Sequence, residues 1–73
     1  MKQIIDGLLY DNEKAEFLYD VTPFVALYKT KNGRFFTLSL GDIKPVSEDN
    51  VRLCLGKHFP GKYIELFGSV DEA

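Results

Sequence analysis

Apolar and polar residues alternate through most of the first two thirds of this chain, then shift to a helical spacing. Phe24–Thr30 and Arg34–Leu40 carry the clearest period of two, the mark of half-buried strands. Lys31-Asn32-Gly33 joins them, and Asn-Gly between alternating runs is the strongest local hairpin signal. A two-residue Asn32-Gly33 loop would oppose Lys31 with Arg34, a like-charge pair. A three-residue loop with a left-handed Gly33 pairs Thr30 with Arg34 instead and is preferred. It puts Phe24, Ala26, Tyr28, Phe36, Leu38 and Leu40 on one face, with Phe35 on the other.

The flanking segments are weaker. Lys2–Ile5 and Leu8–Tyr10 around Asp6-Gly7 read as a frayed strand with a turn or bulge rather than a robust hairpin. Ala15–Val21 alternates as a strand, with Ala15, Phe17, Tyr19 and Val21 on one side. A short helix capped by Asp11 is the rival reading. Ile43–Val46 is extended, and Pro45, lacking an N–H, confines it to an edge or lead-in.

Ser47 opens a helix, with Glu48 and Asp49 at its positive end and Val46 and Val51 spaced as a hydrophobic staple. Its buried face is expected to hold Val51, Cys54, Leu55 and His58, with Leu53 beside it. Pro60 ends it. A second short helix spans Lys62–Phe67, with Tyr63, Leu66 and Phe67 inward and Gly68 as its cap. Residues 69–73 form an acidic, frayed tail. Strands followed by helices predict one α+β domain over residues 1–73: a three- to four-stranded antiparallel sheet, one capped helix and a short C-terminal helix.

Three segments together resemble a known group of sequences: Asp6-Gly7 with Tyr10–Glu16, then Leu27–Phe36, then Pro45–Asp49. The group comprises short uncharacterised proteins found in phages and integrative mobile elements of Gram-positive bacteria. The middle segment is the most specific. Asn12 stands where Thr is more usual, and an insertion often present between the strands is absent. The resemblance implies a mobile-element accessory protein and assigns no residue a role.

Composition narrows the chemistry. The 73 residues are 45% hydrophobic and 27% charged, with ten aromatics (six Phe, four Tyr), which is globular rather than disordered. A single cysteine, Cys54, makes no internal disulfide and points to a reducing cytoplasm. No apolar run is long enough for a membrane span, and the N-terminus is not a signal peptide. Net charge is −2, but residues 24–46 carry four basic groups against one acidic, while both flanks are acidic.

Candidate sites follow from these patterns. Cys54 and His58 share a helix face, yet zinc needs at least three protein ligands and no other Cys or His exists. A buried thiol and a histidine at the negative helix end account for them. The carboxylates show no catalytic spacing, and the glycines form no phosphate loop. The acidic N-terminal residues read as solvated, with mimicry of nucleic-acid phosphate as the sharper alternative. No cofactor, metal or catalytic residue is expected.

The hairpin is the strongest binding candidate, with Tyr28, Lys29, Lys31, Arg34 and Phe35 as its contact residues. Phe59, Tyr63 and Phe67 are the runner-up interface, against a simple role in the core. The expected function is a non-enzymatic interaction module working through a protein contact. The alternative is a nucleic-acid-binding regulator using the hairpin cations. A homodimer pairing edge strands is a third reading.

Overall fold

The computed structural model describes residues 1–73 and is α+β. Six strands precede two helices: β1 (Lys2–Ile5), β2 (Leu8–Asp11), β3 (Glu16–Thr22), β4 (Val25–Lys29), β5 (Phe35–Ser39), β6 (Asp42–Val46), α1 (Glu48–His58) and α2 (Pro60–Phe67). Strands β3-β4-β5-β6 form an antiparallel meander in sequence order, and β1-β2 is a separate two-stranded sheet.

The β1–β2 piece corrects the expectation of a frayed strand. It is a paired hairpin with Lys2 opposite Asp11 and Ile5 opposite Leu8. Asp6 and Gly7 both hold positive φ, 52° and 77°, the form that suits the twist of a two-residue hairpin. Two four-residue strands are marginal alone, so the partner matters. Tyr10 is buried and meets Phe36 edge-on, ring centroids 5.6 Å apart.

That contact gives the large sheet two covered faces. On one, Tyr10, Phe36 and Ile43 form a core with Ile5, Ala15, Tyr28 and Leu38 around it. On the other, Tyr19, Leu27, Phe35, Val51 and Leu55 pack beneath the helices. The layers run hairpin, sheet, helices, one layer more than the expected sheet and helices.

Within Ala15–Val21 the chain is extended from Glu16 onward, in the strand Glu16–Thr22, and not helical. The register slips twice: Phe17 opposes Tyr28 but Tyr19 opposes Leu27, with a second shift between Asp20 and Thr22. The extra residue at Leu18 moves Tyr19 from the face of Phe17 to the helix face. Strict alternation would have kept them together.

The β4–β5 register is the three-residue form. Thr30 N–H donates to Arg34 O at 2.7 Å, Gly33 N–H donates to Thr30 O at 3.0 Å, and Gly33 has φ +83°. Ala26, Tyr28, Phe36 and Leu38 share a face. Phe24 and Leu40 do not join them. Both sit in turns, 72% and 91% exposed.

Ser47 caps α1 through its hydroxyl, which accepts from Asn50 N–H at 3.2 Å. Val51 and Leu55 are buried and Cys54 is half-buried, but His58 is exposed and Leu53 is 72% exposed. The apolar stripe is thus narrower than expected, because α1 lies on the sheet through one ridge. Pro60 begins α2 two residues earlier than expected, at a first-turn position where its missing N–H costs nothing. Gly68 closes α2 at φ 97°.

Only nine residues are buried, so each large one carries much of the stability. Phe36 is 0% exposed, and Phe36→Ala should cost about 3–5 kcal/mol, comparable with the whole stability of a small domain. Urea titration followed by circular dichroism should find this variant unfolded. Leu53→Ser should stay within about 0.5 kcal/mol of the parent.

Candidate partner-binding surface

Alternation along β4 and β5 divides the five hairpin residues between two faces and a tip. Phe35 is 2% exposed, beneath α2 and 6.2 Å from Phe67. Tyr28 stacks on Phe36 at 5.2 Å with the rings 6° apart, and Phe17 abuts it edge-on at 5.6 Å. Neither ring offers an open face to a base or a partner. Lys29 lies half-exposed with Nζ 5.9 Å from the centre of Phe35. Lys31 and Arg34 are fully at the surface.

The cations gather differently from the sequence spacing. Lys14 leaves the β2–β3 turn beside them. That turn is set by Asp11, whose carboxylate accepts from Glu13 N–H at 3.0 Å while Lys14 N–H donates to Asp11 O at 3.2 Å. Two adjoining shallow hollows share Lys14, Ala15, Thr30 and Lys31. Lys29 and Glu16 extend one, and Leu9, Asp11 and Asn32 extend the other.

None of Lys14, Lys29, Lys31 and Arg34 belongs to an ion pair. The three pairs lie elsewhere: the Met1 ammonium with Glu13, Arg52 with Glu48, and Lys62 with Glu65. Leu9, in the wall of the hollow, is 56% exposed and its cross-strand partner Ile4 is 75% exposed. This end of the molecule therefore sets unpaired ammonium groups next to an uncovered aliphatic pair. Lys14, Ile4 and Leu9 were missed in the sequence. Their only signal was that Ile4 and Leu9 face away from Tyr10 once the Asp6-Gly7 turn is paired.

Phe59, Tyr63 and Phe67 turn inward. Phe59 meets Tyr19 at 5.2 Å, and Tyr63 meets Phe67 at 5.2 Å. Arg52 covers Tyr63 and Phe67, with its guanidinium carbon 4.0 Å from the Phe67 ring centre and a 3.1 Å hydrogen bond to the Tyr63 hydroxyl. That bond, then the one to Glu48, holds the guanidinium above its ordinary pKa. These rings fasten α2 to the sheet.

Comparison with family models, curated proteins and solved structures finds no match.

Cys54 is half-buried beside Tyr19, and His58 is exposed. No three His, Cys, Asp or Glu residues are grouped to hold a metal ion, and no helix is long and apolar enough to cross a membrane. Burial, and secondarily the neighbouring Cys54, pushes the Tyr19 hydroxyl up to about 12 from an ordinary 10.0. The fold therefore favours the neutral phenol. Its contribution is fully present below about pH 10 and lost as pH rises towards 12. Urea unfolding above pH 10 should show the parent losing stability more steeply than Tyr19→Phe. Cys54→Ala should retain most of that loss, since burial is the larger cause.

Proposed function

We propose that the chain is a small non-enzymatic interaction module of the mobile-element accessory type, working in the cytoplasm through a protein contact at its basic end. The observation carrying this is the pair of adjoining hollows, where Lys14 and Lys31 stand unpaired beside exposed Leu9 and Asp11 in one and beside Lys29 and Glu16 in the other. The complementary partner is an acidic segment carrying one aliphatic side chain. Covering an aliphatic residue is worth about 1.5–3 kcal/mol, whereas an exposed charge pair adds only about 0.2–1 kcal/mol. The anchor supplies the affinity, and the lysines supply orientation and rate of encounter.

The nucleic-acid alternative has the same lysines and Arg34 in its favour. The hairpin itself lacks a stacking platform, because Phe35 is buried and Tyr28 is already stacked, and the exposed ring beside it is Phe17 on β3, 52% exposed. Its affinity would rest chiefly on the phosphate term, which falls steeply with salt.

An amide NMR titration with an unrelated synthetic peptide of alternating Asp and Leu tests the reading. Shifts are expected at Leu9, Lys14 and Lys29–Lys31, and should be lost in Lys14→Glu/Lys31→Glu. Duplex DNA at the same low salt should shift these amides less than the peptide does. A larger response to DNA would replace the protein reading with the nucleic-acid one. Silence towards both would reject this end as a binding surface.

A further inference from the structure

The end of the meander opposite the lysines carries a residue its own fold does not explain. The β5–β6 turn joins Ser39 to Asp42 through Leu40 and Gly41, with φ 48° and 79°. The β1–β2 turn has the same form but places Asp at the first position, at φ 52°. Asp and Asn tolerate this left-handed conformation, whereas leucine is strained in it. Leu40 is also 91% exposed, so no burial within the chain offsets the strain. Backbone strain of this kind points to a role outside the fold. Phe24, 72% exposed, stands in the neighbouring β3–β4 turn. Asp20 and Asp42 flank this end, and neither is in an ion pair.

We infer that the Leu40-Gly41-Asp42 turn of one copy docks into the basic hollow of a second copy, forming a head-to-tail assembly. This rests on the reading of that hollow as the site for an acidic segment with an aliphatic anchor, and it names the segment. Leu40 covers Leu9 and Ile4, and Asp42 meets Lys31 and Lys14. The two ends cannot meet within one copy, because five-residue strands hold them about 17 Å apart. Acidic end against acidic end, or basic against basic, sets like charges together. Head-to-tail is the pairing that the charges favour. Such a contact is heterologous, so it leaves a free end on each side and extends unless its rotation closes a ring.

A junction built on one turn is small and belongs to the weak class, so sedimentation velocity should be run up to ~1 mM protein. The mean sedimentation coefficient of the parent should rise with concentration and fall back as salt screens the junction. Leu40→Asn removes the anchor while suiting the turn, so this variant should remain folded, melt no lower than the parent and stay monomeric. Lys14→Glu/Lys31→Glu should also be monomeric. An equimolar mixture of the two variants retains one working turn and one working hollow, and should stop at a dimer.

A parent that stays monomeric while the Asp–Leu peptide still binds would overturn self-docking and leave the proposed function standing. A monomer that also ignores the peptide would end both. Undiminished association of Leu40→Asn would show that the turn is not the anchor.

Discussion

Two consecutive phenylalanines on β5 hold the three layers together. Phe35 and Phe36 are 2% and 0% exposed, and adjacent strand residues face opposite ways. One ring enters the core beneath the helices, and the other enters the core beneath the β1–β2 hairpin. Residues 1–11 and 47–67 never need to touch, because both are fastened to the same strand. From Phe36 the aromatic contacts continue to Tyr28 and Phe17 on one side and to Tyr10 on the other. A chain with so few buried residues concentrates its stability in this row.

What could be read from the sequence was local. Asn32-Gly33, the like charges at Lys31 and Arg34, and the position of Gly33 together settle the β4–β5 register. Ser47 followed by two acids marks the start of α1 and Gly68 the end of α2, whereas Pro60, read as ending the first helix, opens the second. Each is a statement about neighbours a few residues apart. What could not be read was non-local. Nothing near Tyr10 says that its ring lies on Phe36, some 26 positions later, and without that contact β1–β2 looks too short to persist. The bulge at Leu18 was hidden for the same reason. It is set by what Tyr19 finds beneath the helices, not by the alternation around it.

The same limit explains the partly legible surface. The basic character of residues 24–46 was plain, but a count of charge does not say which face a side chain takes. Pairing sent Phe35 and Tyr28 inward and left Lys29, Lys31 and Arg34 outside. Folding of the β2–β3 turn then brought Lys14 to them and uncovered Leu9 at their side. An expected cation-and-aromatic ribbon thus became a cation-and-aliphatic hollow, the change on which the proposed peptide contact rests.

Charge and edge protection together decide where such a molecule can make contacts. Both borders of the four-stranded sheet are unsuited to pairing with another strand. Bulges interrupt β3, and Lys44 and Pro45 occupy β6, two recognised ways of blunting an edge. The faces of the sheet are mostly covered, with Phe17 left 52% exposed beside Tyr28. The two ends of the meander remain, one with lysines around Leu9 and the other with aspartates around Leu40. Local rules of turn chemistry and burial hold through most of the chain; they fail at Leu53 on α1 and, at those same two ends, at Leu40, Ile4 and Leu9. Residues that strain or expose a small fold without strengthening it are best explained by what they meet beyond it.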